Sequence, residues 1–180
     1  MKSNLEIEYK MLLTEKEYLT LLNNLQNSKI VDQTNIYYDT NPSLVKRNMG
    51  CRIRIIDSEY FFTLKIKQDI GIKEVEFEIP SLDLDNDKIR NVFDKYNIKD
   101  IKKVGELRTI RHIYTFEQGI ICLDKNFYND KVDYEIEYEL FEGFNDYTFL
   151  VNLLKNNDIN YIPNTISKLE RCLNSKKDIQ

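Results

Sequence analysis

Glu6-Ile7-Glu8-Tyr9-Lys10 alternates charged and apolar residues, and a period of two marks a β-strand with one polar and one oily face. Glu6, Glu8 and Lys10 share one side, while Leu5, Ile7, Tyr9 and Met11 share the other. The alternation returns in Arg52/Arg54, Lys65/Lys67, Glu74/Glu76/Glu78 and Glu135/Glu137/Glu139. A half-exposed strand in a plain sheet also alternates, with its charges in water. These strands differ in setting like charges at i and i+2. Such charges repel, and exposed ion pairs with neighbouring strands return only about 0–1 kcal/mol each. Stability alone is a weak reason for the rows, and a shared ligand or metal is a stronger one.

Working outward, Thr14 with Glu17 three residues later forms a capping box ahead of Tyr18, Leu19, Leu21, Leu22 and Leu25, which predicts a helix ending near Asn27. Strands are expected at 34–39, 51–56, 60–67 and 72–79, the second and third joined through Asp57-Ser58 and the last two through the loop around Gly71. Helical spacing recurs over 84–96, and a second strand group follows at about 107–117, 120–125 and 132–141. Helices near 146–156 and 166–175 complete a count of about eight strands and four or five helices.

Amphipathic helices need an apolar sheet surface to cover, and Ile7/Tyr9, Ile53/Ile55, Leu64/Ile66, Val75/Phe77 and Ile136/Tyr138 provide one. The ionic faces then lie on the other side. About eight antiparallel strands can close into a barrel. The expected fold class is therefore α+β, an antiparallel eight-stranded β-tunnel with a charged lumen and helices packed outside. Arg and Lys in several rows suit the oxygens of a phosphate chain, Arg through two-pronged hydrogen bonds and Lys as a point charge. Paired carboxylates suit Mg²⁺ or Mn²⁺, hard cations that prefer oxygen ligands. Together they point to a polyphosphate bound with metal.

Composition narrows the classes. The 180 residues, 42% hydrophobic and 12% aromatic, suit a single domain over 1–180. Twenty-six basic against 30 acidic residues, a net charge of −4, argue against nucleic acid as partner while leaving local anion sites possible. Cys51, Cys122 and Cys172 are odd in number and far apart, so they read as reduced thiols rather than a disulfide or zinc framework. No apolar stretch approaches the roughly 20 residues of a membrane span and no apolar signal region opens the chain, so no membrane partner is expected and the location is expected to be cytoplasmic. Oligomeric state is left open by the sequence.

An ordered series of segments resembles the CYTH family, the triphosphate tunnel metalloenzymes, whose signature is an N-terminal ExExK. Here it is Glu6-Ile7-Glu8-Tyr9-Lys10, followed by Tyr37-Tyr38-Asp39-Thr40, Cys51-Arg52-Ile53-Arg54, Thr63-Leu64-Lys65-Ile66-Lys67, Glu74-Val75-Glu76, Thr109-Ile110-Arg111, Leu123-Asp124, Tyr134-Glu135-Ile136-Glu137-Tyr138-Glu139 and Ser167-Lys168-Leu169-Glu170-Arg171. The resemblance implies a tunnel open at both ends and a metal-dependent hydrolase of a small triphosphate, inorganic tripolyphosphate or thiamine triphosphate. Some members instead make cyclic AMP from ATP. It further implies that Glu6 and Glu8 bind metal with Glu135 and Glu137. Phosphates would be held by Lys10, Arg52, Arg54, Lys65 or Lys67, Arg111 and Lys168, and the reacting centre would comprise Glu6, Glu8, Lys10 and Arg54. Glu74, Glu76, Asp124 and Glu139 are further candidates, and strand parity does not choose among Glu135, Glu137 and Glu139. Where many members carry two basic residues two apart, this chain has Thr109 and Arg111, so that one phosphate contact is either weaker or supplied by Arg108 through a local distortion.

Other residues read as ordinary structure. His112 has the opposite parity from Arg111 and reads as a packing residue; Cys51 shares a face with Ile53 and Ile55. Tyr9, Tyr134 and Tyr138 fall on apolar faces, and Lys168 and Arg171, three apart on a helix, read as a solvated face apart from the resemblance of Lys168. Two further functions stay open beside the triphosphatase: an adenylate cyclase, and a module that binds polyphosphate without cleaving it.

Overall fold

The computed structural model describes residues 2–177. Eight strands, β1 (Lys2–Leu13), β2 (Lys29–Asp39), β3 (Met49–Ile56), β4 (Glu59–Lys67), β5 (Ile72–Ile79), β6 (Lys102–Thr115), β7 (Gly119–Tyr128) and β8 (Lys131–Leu140), form a closed antiparallel barrel in the order β1-β5-β4-β3-β2-β6-β7-β8. Closure depends on β1 changing partners along its length. Its first half, Lys2–Glu6, pairs with β5, and Ile7–Leu13 pairs with β8.

The local signals act as expected at several points. Thr14 and Glu17 form the reciprocal capping box of α1 (Glu15–Asn24). Asp57 and Ser58 both take positive φ in the tight β3–β4 turn. Two strands begin earlier than expected: β2 at Lys29 and β6 at Lys102, where Asp39 and Tyr38 pair with Lys102 and Lys103. Those extensions, Lys29-Ile30-Val31-Asp32-Gln33 and Lys102-Lys103-Val104-Gly105-Glu106, carry no regular apolar alternation, so a period of two could not mark them. Helix α2 (Asp87–Lys95) starts only after Asn86, whose side chain accepts a hydrogen bond from the Lys88 amide.

The oily strand faces lie outside. Ile53, Phe62, Leu64 and Val75 are buried against Ile89 and Val92 of α2. On the other side Met11, Ile121, Leu123, Ile136 and Tyr138 are buried against α1 and α3 (Thr148–Lys155). Cys51 is buried within the first of these clusters.

Helix α4 (Lys168–Lys177) behaves differently from the other three. Its Leu169 and Cys172 pack with Tyr37, Leu107 and Tyr128, which carry the lumen-facing parity of their strands. The helix therefore sits over one end of the tunnel, on the side where the resemblance implied an open mouth. Ser167 and Glu170 form the reciprocal bonds of a capping box at its start. Arg171 is buried rather than on a solvated face: it bonds Asp133 at 2.8 Å and both oxygens of Glu135 at 3.1 Å. The solvated-face expectation fails because the acids it meets lie on β8, about 35 residues away in sequence, where helical spacing gives no signal.

Removing one partner of a buried pair leaves a charge uncompensated, at a cost of roughly 3–5 kcal/mol. Arg171→Leu is expected to destabilise the fold on that scale, whereas Arg108→Leu, in an exposed pair with Asp32, should change stability by about 0–1 kcal/mol. Ile53→Ala, at a fully buried outer position, should cost about 2–5 kcal/mol. Arg52→Ala, on the opposite face of the same strand, should cost distinctly less. Chemical denaturation of the four variants checks the ranking.

Candidate functional site

The inward strand faces enclose a cavity of about 220 Å³ lined by Glu6, Gln33, Asn35, Arg52, Arg54, Lys65, Glu74, Glu76, Arg111, Glu137, Glu139 and Lys168. All twelve are charged or carry an amide: five acids, five bases and two amides. Parity produces this arrangement, since each strand that buries its apolar residues outside must aim the alternate ones inward. Barrel order then sorts the charges. β1 and β8 lie across the barrel from β2 and β3, so the wall with Glu6, Glu8, Glu137 and Glu139 faces the wall with Arg52, Arg54, Asn35 and Gln33.

Register decides which acids meet. Glu8 is paired with Glu139, Lys10 with Glu137, and Leu12 with Glu135. Carboxylate oxygens of Glu6, Glu8 and Glu139 lie within 4.8 Å of one another, and those of Asp124, Glu135 and Glu137 form a second such group. Glu139, which the sequence left as a further candidate, is thus brought to Glu6 and Glu8, whereas Glu135 lies two register positions beyond.

The two groups differ in their partners. In the second, Lys168 Nζ lies 2.9 Å from Asp124, 2.6 Å from Glu135 and 2.5 Å from Glu137. Arg111 makes a two-pronged contact with Asp124 at 2.7 and 2.8 Å and also bonds Glu137. Glu135 additionally takes both bonds from Arg171 and one from Asn164 at 3.0 Å. Its acceptor capacity is spent on the chain itself. In the first group, Lys65 Nζ lies 2.7 Å from Glu6 and 3.9 Å from Glu8, and Lys10 lies 2.9 Å from Glu8. Glu139 has only Arg111, at 3.7 Å, among the described residues.

Proton affinities follow. Burial, reinforced by repulsion from Glu8, Glu139 and Glu74, pushes the Glu6 carboxyl up to about 7 against the pull of Lys65. Burial raises Glu139 in the same way. At Glu8, burial is outweighed by Lys65 and Lys10, which bring it below the usual range. Glu137 is held well below that range, its burial overcome by Lys168, Arg111 and Lys10. A cluster with one proton held near neutrality beside an ionised neighbour binds cations in competition with protons. Its all-oxygen donor set fits a hard divalent ion such as Mg²⁺ or Mn²⁺.

Lys67 is exposed at the end of β4 and lines no part of the cavity, while Lys65 does. Arg52 and Arg54 approach Glu74 and Glu76 only at 3.6 and 4.0 Å. Thr63 bonds Glu76 at 2.9 Å. Arg108 does not substitute for a second lumen base: it points outward to Asp32, and Thr109 takes the inward place, bonded to Asn126. His112 contacts Ser28 at 3.2 Å, and Tyr138 is fully buried in the outer core, as their parities imply. Sequence reasoning missed the inward residues of β2, Gln33 and Asn35. Period two from the recognisable Tyr37 was the available signal.

The CYTH domain family matches residues 4–151. A Bacillus subtilis (strain 168) protein named "Putative triphosphatase YjbK" is 31% identical over 150 residues, covering 77% of this chain and 79% of that protein. Among solved structures, a Bacillus halodurans protein described as a "putative adenylate cyclase" superposes with TM-score 0.81 at 27% identity, covering 95% of this chain and 98% of the other. HpAC1 of Hippeastrum, described as a "putative adenylyl cyclase" with a dominant triphosphatase activity, gives 0.75 at 26% identity, covering 98% and 96%. With the barrel, the inward ExExK strand and a match over most of its length, this chain belongs to the CYTH domain family.

Proposed function

We propose that this protein is a divalent-metal-dependent triphosphatase acting on a small triphosphate, inorganic tripolyphosphate ahead of thiamine triphosphate. The observation that carries the reading is the cavity itself. Five bases and five acids line about 220 Å³, and two of those acids, Glu6 and Glu139, form a close carboxylate group with Glu8; the volume is below the roughly 300–1,000 Å³ of pockets for organic ligands. Among the described residues, no aromatic or aliphatic side chain lines it to hold a base or a thiazole ring. The relative named as a triphosphatase and the solved structure described as having triphosphatase activity support the same choice. The solved structure described as an adenylate cyclase keeps a second reading, cyclic AMP formation from ATP, in play; among the described residues, none lining the cavity offers the apolar surface that a nucleobase needs.

Glu6, Glu8 and Glu139 would hold the metal, with Glu137 beside them. When bound, such an ion supplies charge neutralisation and a polarised water. The chain's own part is to place and neutralise the phosphates. Arg52 and Arg54 from one wall, and Lys65, Arg111 and Lys168 from the others, surround the phosphoryl oxygens. Water adds to the terminal phosphorus, the bond from that phosphorus to the bridging oxygen breaks, the diphosphate leaves with that electron pair, which the cations stabilise, and the proton lost by the water passes to a phosphate oxygen of the products. Phosphoryl transfer rests on positioning and electrostatics more than on a strong nucleophile, so the lack of a lumen Ser/His pair is no obstacle. To bind substrate, Lys65 would exchange its contact with Glu6 for a phosphate oxygen.

Incubation with Mg²⁺ or Mn²⁺ and tripolyphosphate is expected to release phosphate. Glu8→Gln should reduce the rate at least about a hundredfold, and chelation of the metal should abolish it. Cyclic AMP from ATP as the main product, or tight tripolyphosphate binding without turnover under either metal, would overturn the assignment.

Protons compete with metal at Glu6. Below about pH 7 the protonated form dominates, so Mg²⁺ affinity should fall by up to about tenfold per pH unit as pH drops and level off above neutrality. Calorimetric titration from pH 5.5 to 8.5 should show this slope in the native chain and a flatter one in Glu6→Gln. An affinity independent of pH across that range would contradict the placement of the proton.

A further inference from the structure

Two fully buried asparagine amides of the barrel, Asn126 and Asn35, differ in how they are satisfied. Asn126 on β7 is fully buried; its side-chain oxygen accepts from Thr109 at 2.7 Å and its nitrogen donates to Asp133 at 2.9 Å, which in turn meets Arg171. Asn35 on β2 is only 1% exposed, points into the same lumen, and has no hydrogen-bond partner at either Oδ1 or Nδ2 among the described residues. Leaving a buried polar group unpaired costs about 1–3 kcal/mol. Because both ends of the amide are free, the conclusion holds for either orientation of the group.

The surroundings show what the amide faces. Asn35 is paired across the sheet with Arg54 and lies two residues from Tyr37, the partner of Arg52. Its neighbour on the other side is Leu107, which offers no side-chain polar atom. Nε of Arg52, Nη2 of Arg52 and Nε of Arg54 are likewise buried without a hydrogen bond. The unsatisfied set contains four donors and one acceptor. Such an excess of donors calls for a compact ligand rich in acceptor oxygens. An aspartate at position 35 would pair with Arg54 and quench it, whereas the neutral amide leaves both guanidiniums available.

We propose that the Asn35 amide is a substrate-binding group, donating to a phosphoryl oxygen held between Arg52 and Arg54 and so fixing which phosphate of the chain sits against the arginine wall. This rests on the triphosphate reading above and extends it to a residue outside the charged motifs. The class of ligand is a tetrahedral phosphoryl anion, and the probe is tripolyphosphate.

The test separates ligand binding from folding and needs no turnover. Melting temperature and tripolyphosphate affinity, the latter by calorimetry without divalent metal, are measured for the native chain, Asn35→Leu, Asn35→Asp and Asn126→Leu. If Asn35 serves the ligand, Asn35→Leu melts at or above the native chain yet binds tripolyphosphate roughly tenfold or more weakly, because a hydrogen bond to a charged group is lost. Asn126→Leu, which breaks a satisfied network, melts lower. Asn35→Asp keeps the shape, so it reports even if the leucine variant fails to fold: binding at least tenfold weaker in a folded protein supports the proposal. Native affinity in Asn35→Leu or Asn35→Asp would overturn it while leaving the triphosphatase reading intact. No binding of tripolyphosphate by the native chain would instead remove the reading on which it rests.

Discussion

Everything in this structure follows from charge being forced inward. Helices α1, α2 and α3 cover the oily outer faces of the strands, so the alternate residues have only the lumen to enter, and the lumen fills with ions. Burying charges is costly unless they are paired, and the five acids and five bases around the cavity are the pairing that makes the interior tolerable. The balance is local as well as total. Lys168, Arg111 and Arg171 saturate Asp124, Glu135 and Glu137 near α4, while Glu6, Glu8 and Glu139 have fewer partners. That asymmetry divides one ionic interior into a cross-linked part that holds the fold and a looser part suited to exchange partners with a ligand.

Much of this was legible in the sequence. Period two in Glu6-Ile7-Glu8-Tyr9-Lys10 and its later counterparts gave the strands and their faces, and the like-charged rows gave the lumen. The Thr14/Glu17 capping box and the Asp57-Ser58 turn were readable because their signals are local. What could not be read was register. Glu135, Glu137 and Glu139 are equivalent by parity, and only the pairing of Glu8 with Glu139 distinguishes them. Arg171 was illegible for the same reason: its partners Asp133 and Glu135 are remote in sequence and come together only when α4 docks over the tunnel end.

Neutral lumen residues were harder still. Asn35 carries no charge and repeats in no row, and its role emerges only from the contrast between its unsatisfied amide and the satisfied one of Asn126. Thr109 shows the converse. Where two lumen bases might have stood, the inward hydroxyl is tied to Asn126, and the neighbouring Arg108 is held outside by Asp32. Strand parity is rigid enough that a base at the wrong position cannot serve the lumen.

If the inward ionic face is an anion-binding surface, bound anion must shield its lysines, and residue-resolved acylation by a small amine-reactive reagent measures that shielding. Lys65 and Lys168 face the cavity while Lys67 is exposed at the end of the same strand as Lys65. Lys65 and Lys168 are expected to react slowly and more slowly still with tripolyphosphate, while Lys67 reacts quickly with or without the anion. Reaction of Lys65 as fast as Lys67, unaffected by tripolyphosphate, would contradict an anion-binding lumen.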